Sequence, residues 1–147
     1  MWINITTKEE INSILRSYGH FHDSFVEKLT FESGMSLGSD GSIIYTSTAL
    51  SESEETMSDK MLFECSKVYM VVGSQINTEK IVFMFEKLID FKYSFSTRYD
   101  NILDDVLLDF KGYRFHFRST SVSIAAQSLS YYVVKEGSKE TLMQNLF

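Results

Sequence analysis

The sequence predicts a single α+β domain over residues 1–147, in which an N-terminal amphipathic helix packs on a mainly antiparallel β-sheet. Three observations support this fold class. The chain has 147 residues, enough for one hydrophobic core. Helical spacing of apolar residues is clear only near the N-terminus, and most of the remaining chain alternates. Aromatic residues make up 14% of the chain, and rings pack well on a pleated surface. A half-closed β-barrel with one helix is the alternative architecture.

The N-terminal helix is predicted by a capping box followed by an apolar stripe. Thr7 and Glu10 have the spacing at which each side chain accepts a hydrogen bond from the other residue's backbone N–H. Gly19 suits the left-handed position that follows a helix. The stripe falls at positions i, i+3, i+4 and i+7, which are Ile11, Ile14, Leu15 and Tyr18. The helix therefore has one apolar face that must pack on another element.

Most of the following chain is predicted to form strands separated by turns. In the first of these strands, residues 25–32, the alternation assigns Phe25, Leu29 and Phe31 to the core face. A turn region over 33–41 and an acidic loop over 51–59 flank the second strand. The other predicted strands cover 42–50, 61–72, 80–95, 102–110, 113–118 and 121–134, with 102–110 and 113–118 forming a hairpin.

Two segments leave alternatives open. Residues 80–95 also fit a buried helix, but their ring content and the alternation of Phe91, Tyr93 and Phe95 favour a strand. A strand of that length requires a bulge, which we place near Glu86–Lys87. Residues 139–147 have apolar side chains at helical spacing and predict a short final helix.

Charge and cysteine usage indicate the environment. Lys and Arg total 14 and Asp and Glu total 20, a net charge of −6 that argues against a nucleic-acid binder. The one cysteine, Cys65, cannot form an internal disulfide, and we interpret it as a small core hydrophobe. The short apolar start Met1–Ile5 does not resemble a signal peptide, and no apolar run approaches the ~18 residues of a membrane span. We therefore expect a cytoplasmic protein without membrane contact.

The strand edges bear on oligomeric state. The chain contains no proline, one of the residues that commonly block edge-to-edge pairing of sheets. Homodimerisation by edge pairing is therefore an alternative that the sequence leaves open.

A polar cluster follows the helix at His20, His22 and Asp23. In an extended segment His20, His22 and Ser24 would share one face, and His116 could add a third nitrogen ligand for a metal ion. This arrangement defines one alternative function, a small hydrolase or metal-dependent enzyme.

The simpler interpretation of this cluster is structural. His116 alternates with Phe115 and Phe117 and so lies on a cationic face of its strand, which disfavours a metal. Asp23 would lie on the core face of an unbroken strand, so we expect Asp23 and Ser24 to bond to backbone amides at the helix-to-strand junction. Nucleophile elbows, P-loops, dinucleotide fingerprints and zinc-protease motifs do not occur in the sequence. We therefore predict no catalytic residues, metal or cofactor.

Two acidic segments are the candidate partner-binding surface. Carboxylates of one sign held together repel one another, and such a field steers a basic partner. The alternative interpretation is that each acidic segment is an ordinary solvent-exposed edge of the protein. The candidate residues are Glu52, Glu54, Glu55 and Asp59 in the first segment, and Asp100, Asp104 and Asp105 in the second.

The stretch Phe21-His22-Asp23-Ser24, placed between a capped helix and an alternating strand, resembles small bacterial immunity-type proteins of polymorphic toxin systems. The turn Asp100-Asn101-Ile102 before a hairpin is also similar. The resemblance implies a non-catalytic cytoplasmic inhibitor that binds one cognate toxin domain. It assigns no binding role to the four residues, which we interpret as structural.

A third hypothesis is an apolar-ligand carrier, with the sheet curved around a cavity. The predicted lining of that cavity is Phe83, Phe85, Phe115 and Phe117.

Overall fold

The computed structural model describes residues 1–45, 65–75, 78–97, 99–103 and 106–134. The loop predicted over 51–59, parts of the strands predicted over 42–50 and 61–72, and the helix predicted over 139–147 lie outside the described residues. The elements, in chain order, are β1 (Ile3–Asn4), α1 (Lys8–Ser17), a 3-10 turn (Gly19–Phe21), β2 (Ser24–Glu32), β3 (Met35–Leu37), β4 (Ile43–Tyr45), β5 (Lys67–Ser74), β6 (Glu79–Tyr93), β7 (Ile102–Leu103), β8 (Leu107–Lys111), β9 (Arg114–Arg118) and β10 (Val122–Val134).

The main sheet is antiparallel and strongly curled. Its strand order is β7-β2-β5-β6-β10-β9-β8, and β1 pairs with β10. A flat sheet of this order would separate β7 from β8 by about 29 Å, at about 4.8 Å per strand. Only residues 104–106 join the two strands, and such a link spans at most about 14 Å. The sheet therefore curls into a half-barrel, which confirms the α+β fold class together with its barrel-like alternative.

The helix forms as predicted and packs on the concave face of the sheet. The Thr7 hydroxyl accepts a hydrogen bond from the Glu10 backbone N–H at 3.2 Å, and the Glu10 carboxylate accepts from the Thr7 N–H at 3.1 Å. The stripe residues Ile11, Ile14 and Leu15 are buried in the main core. Burying this stripe supplies most of the stabilisation of α1, because an isolated ten-residue helix is marginal in water.

Phenylalanine rings fill the core beneath the helix. Phe83 lies 6.1 Å from Phe85 and 6.5 Å from Phe117, measured between ring centroids. Phe21 packs edge-on against Phe83 at 5.8 Å, and Phe115 is also buried. The ligand cavity predicted around these β6 and β9 rings is therefore wrong, because the rings occupy the space themselves.

Residues 79–93 form a single strand, which decides the helix-or-strand alternative in favour of the strand. Lys87 has a left-handed backbone with φ of 56°, and the register with β10 shifts by one residue between Ala125 and Ala126. The predicted bulge is thus present, at Lys87 and the two residues after it. Because of this bulge, β6 pairs with β5 along its first half and continues beside β10 beyond the end of β5.

The predicted core face of β2 is wrong in its first half. Val26 is buried, whereas Phe25 is only half-buried on the opposite face. A register shift between Val26 and Lys28 marks a bulge at Glu27, which inverts the alternation. Phe31 does lie on the concave face, but 53% of its surface is exposed.

The predicted strand 102–110 is split in two. Residues 102–103 form β7 and pair with the start of β2, at the opposite edge of the sheet from β8. The hairpin of β8 and β9 is confirmed, with Gly112 and Tyr113 as its turn at φ of 64° and 61°. Residues 122–134 form one continuous strand.

Candidate functional site

The segment that follows the helix is not extended. Gly19, His20 and Phe21 have φ values of 58°, 55° and 61°, and Asp23 has 60°. These residues form a left-handed turn, in which the N–H of His22 donates to the carbonyl of Gly19 at 3.0 Å. The predicted common face for His20, His22 and Ser24 is therefore wrong, because side chains alternate regularly only in extended backbone.

Within Phe21-His22-Asp23-Ser24, the first and last side chains are buried and the middle two are exposed. Phe21 stacks on Tyr18 with ring centroids 5.7 Å apart. The side chains of His22 and Asp23 are 72% and 61% exposed, with 3.9 Å between the histidine Nε2 and the carboxylate. Ser24 is buried, and its Oγ has no hydrogen-bond partner among the residues that the structure describes. The expected hydrogen bonds of the Asp23 and Ser24 side chains to backbone amides are therefore not formed among the described residues.

The three histidines are not brought together. His116 is half-buried in β9, on the side opposite Phe115 and Phe117, where we predicted it. Within the described ranges, no group of three or more His, Cys, Asp or Glu side chains could hold a metal ion. The geometry proposed for a site of His20, His22 and His116 is thus not formed. Cys65 is buried, but it lies in a turn before β5 and not within a strand.

Of the predicted partner-binding carboxylates, only Asp100 is among the described residues. It closes the turn after β6, where its carboxylate accepts from the backbone N–H groups of Ser96 at 2.5 Å and Thr97 at 2.8 Å. Both hydroxyls also donate to it at 3.1 Å. Asp100 thus has a structural role, and its contact with a partner stays a prediction. Glu52, Glu54, Glu55, Asp59, Asp104 and Asp105 lie outside the described residues.

The hydrogen bonds at Asp100 predict a dependence of stability on pH. The Thr97 and Ser96 N–H groups favour the charged form and hold the pKa of Asp100 below its ordinary value of 3.8. A lowered pKa in the folded state stabilises the fold above the unfolded-state pKa, and this contribution is lost as the pH falls through the folded-state pKa. Asp100→Asn should therefore be less stable than the wild type at pH 7, with the difference shrinking below about pH 4. Urea unfolding at a series of pH values measures it.

The matched control is Asp90→Asn. The Asp90 carboxylate has one long ion-pair contact, 3.9 Å from the Lys92 ammonium, so this variant should stay close to wild type. A stability gap for Asp100→Asn that persists unchanged at acidic pH would show that the charge of Asp100 has no part in it.

The surface that sequence reasoning missed is a groove at the open end of the half-barrel. We call it the aromatic groove and define it by Phe31, Phe91, Tyr93 and Phe95. Successive ring centroids in this row lie 6.0, 5.4 and 5.9 Å apart. The cavity has a volume of about 640 Å³ and extends to Val26, Glu27, Lys28, Leu29, Thr97 and Asn101.

The groove exists because the helix is shorter than the sheet it covers. The ten residues of α1 span about 15 Å, whereas the fifteen residues of β6 span about 50 Å. The helix covers the half of the concave face that carries Phe83 and Phe85. In the other half, Tyr93 stays 63% exposed and Phe95 40% exposed. Alternation of rings at 91, 93 and 95 was visible in the sequence, but its exposure depends on where the helix ends.

The nearest charges on β2 already have partners. Glu27 lies at the bulge, and its carboxylate accepts from the Lys80 ammonium at 2.8 Å, with both side chains 28% exposed. This pair lies over Gly73, where an added Cβ would come within 3.1 Å of the Glu27 carboxylate. The groove therefore combines rings and aliphatic side chains with the polar side chains of Glu27, Lys28, Thr97 and Asn101.

Fold and site together define the class: an α+β half-barrel with one capped helix and an aromatic groove on its concave face. No family model, curated protein or solved structure matches the chain. In the parts of the chain covered by the structure, no helix has the length and apolar character of a membrane span.

Proposed function

We propose that this chain is a non-catalytic binding protein that recognises another protein through the aromatic groove. The observation that carries the proposal is the row of Phe31, Phe91, Tyr93 and Phe95, which leaves large rings exposed in a concave surface. Exposed apolar patches of this kind commonly mark interaction sites, and aromatic side chains dominate binding hot spots. Phe31, Phe91 and Tyr93 are held on strands, so little conformational entropy is lost when they bind.

The resemblance at Phe21-His22-Asp23-Ser24 suggests the form of this role, an immunity-like inhibitor of a cognate bacterial toxin domain. The net charge of −6 favours a basic toxin surface, and the acidic segments around Glu52–Asp59 and Asp100–Asp105 would raise the rate at which such a surface meets the protein. In this proposal the rings provide the affinity for the toxin, and the carboxylates increase the rate of association.

Co-expression with the toxin domain encoded by the adjacent gene tests the proposal. The wild-type chain should restore growth and co-purify with the toxin. The double variant Phe91→Ser/Tyr93→Ser should lose affinity by about 100-fold or more, as expected for two hot-spot rings. Tyr113→Ser is the matched control, because Tyr113 is 86% exposed on the β8–β9 turn and lies outside the groove.

The outcomes separate the parts of the proposal. Failure of the wild-type chain to bind or neutralise the toxin contradicts the inhibitor role. Binding that survives the double variant places the interface elsewhere on the protein. Urea unfolding of each variant shows whether a loss of binding follows from a loss of folding.

A second candidate is an apolar small-ligand carrier, because about 640 Å³ is within the usual range of small-molecule sites. Native mass spectrometry of the purified protein distinguishes it. A co-purifying apolar molecule that the double variant Phe91→Ser/Tyr93→Ser no longer retains favours the carrier over the protein-binding role.

A further inference from the structure

Strand β6 extends beyond the strand on one of its sides. β5 pairs with it from Ser74↔Glu79 to Lys67↔Glu86, whereas β10 pairs with it as far as Tyr93. Among the residues that the structure describes, β10 is thus the one strand partner of residues 88–93. Alternate backbone groups of a strand point to opposite sides, so this stretch presents N–H and C=O groups on the side away from β10.

The bulge explains why the edge opens at this point. The N–H of Lys87 still donates to the carbonyl of Ser66, the residue before β5, at 3.1 Å. Lys87 then adopts a left-handed conformation, and the extra residue before Asp90 bends β6. A bulge increases local twist, so the end of β6 leaves the line of β5 and follows β10.

A second cavity follows this edge. It has a volume of about 500 Å³ and is lined by Phe31, Tyr93 and the consecutive residues 88–91. Consecutive residues of a strand point to opposite faces, so a cavity lined by all four runs along the edge of the strand. It shares Phe31, Phe91 and Tyr93 with the aromatic groove. Backbone groups that have no strand partner among the described residues and exposed rings therefore border the same space.

We propose that an extended segment of the partner protein adds as a strand to the edge of β6 that lies away from β10, between Leu88 and Tyr93. This inference rests on the proposed function and names the element of the partner that makes the contact. Main-chain hydrogen bonds supply the affinity of such strand addition, and alternate side chains supply its specificity. A six-residue strand is about 20 Å long and places every second side chain against Phe31, Phe91 and Tyr93. The net charge of −6 favours a neutral or basic segment over an acidic one.

A second copy of this chain fits the edge less well than a segment of another protein. Pairing of two copies along this stretch alone would cover about 200 Å² on each copy, against about 800 Å² for each partner in a stable interface, whereas another protein can add contacts outside the paired strand. A twofold dimer also requires a self-complementary patch. When the concave grooves of two copies face one another, the floors of the grooves do not touch. A single strand of another protein can enter the groove and contact its floor.

Peptides that alternate valine and threonine between terminal lysines, about eight residues long and capped at both ends, test the inference. In two further versions every second amide is N-methylated. The two versions differ in which edge of the peptide strand loses its N–H donors. We expect the unmodified peptide and one methylated version to bind alike, and the other to lose at least about tenfold in affinity. Amide hydrogen exchange of residues 88–93 should slow when the peptide binds. Tyr93→Ser should weaken binding, and Tyr113→Ser should not.

Equal binding by both methylated peptides overturns strand addition, because the rings alone then account for affinity. Absence of binding at about 1 mM also overturns it. Slow exchange of residues 88–93 in a dimer without peptide overturns it in favour of a second copy. Toxin neutralisation is measured separately, so peptide binding without neutralisation contradicts only the inhibitor role, and neutralisation without peptide binding contradicts only strand addition.

Discussion

Replacing Phe21 with alanine is expected to lower the free energy of unfolding by about 3–5 kcal/mol. Its ring is fully buried between Tyr18 and Phe83 and joins the end of the helix to the core of the sheet. The alanine would keep the left-handed backbone, with φ of 61°, that phenylalanine already has. The loss therefore measures the ring and the cavity it leaves, and urea unfolding at neutral pH determines it.

The controls for this prediction are the two exposed neighbours. His22→Ala and Asp23→Asn should each change stability by less than about 0.5 kcal/mol, because both side chains are largely in solvent. Neither change should weaken toxin binding if the segment is structural. A loss of binding by either variant at unchanged stability would falsify the structural interpretation of Phe21-His22-Asp23-Ser24.

Gly34→Ala is expected to cost about 2–5 kcal/mol, the sum of a left-handed penalty and an overpacking penalty. Gly34 has a φ of +80°, and an added Cβ would overlap the carbonyl oxygen of Cys65. That oxygen belongs to the backbone leading into β5, so it cannot move aside as a flexible side chain would. The end of β2 and the start of β5 would have to separate.

Gly41→Ala separates the two penalties. Gly41 has a φ of +86°, but no atom of the described residues lies within 4 Å of its added Cβ. It should lose only about 1–2 kcal/mol from the left-handed conformation. The difference between the two variants measures the close approach at Cys65. Equal losses for both would show that the chains of β2 and β5 are not in contact at Gly34.

The secondary-structure elements that depend on residues close together in the chain were predictable from the sequence. The helix is one such element, because Thr7 and Glu10 lie three residues apart and determine its start locally. The hairpin of β8 and β9 is another, because its turn needs only two left-handed residues, Gly112 and Tyr113. The strand assignment of residues 79–93 also followed from local ring content.

The face of β2 was not predictable, although its position was. The bulge at Glu27 adds one residue, and a one-residue change sends every later side chain to the other face. No pattern within residues 24–32 marks that position, since the bulge forms only against β5. The exposure of the site was not predictable either. The rings at 91, 93 and 95 alternate as core rings do, and they stay exposed because α1 is too short to cover them.

By itself the sequence determined the α+β class, the capped helix and most of the strands, because capping, alternation and turns depend on residues within a few positions of one another. Only the tertiary structure decided that β7 and β8 lie at opposite edges of a curled sheet, that Phe21 enters the core from a left-handed turn and that the rings at the end of β6 border a groove. These features arise from register, curvature and relative length of elements distant in the chain, which no local pattern encodes.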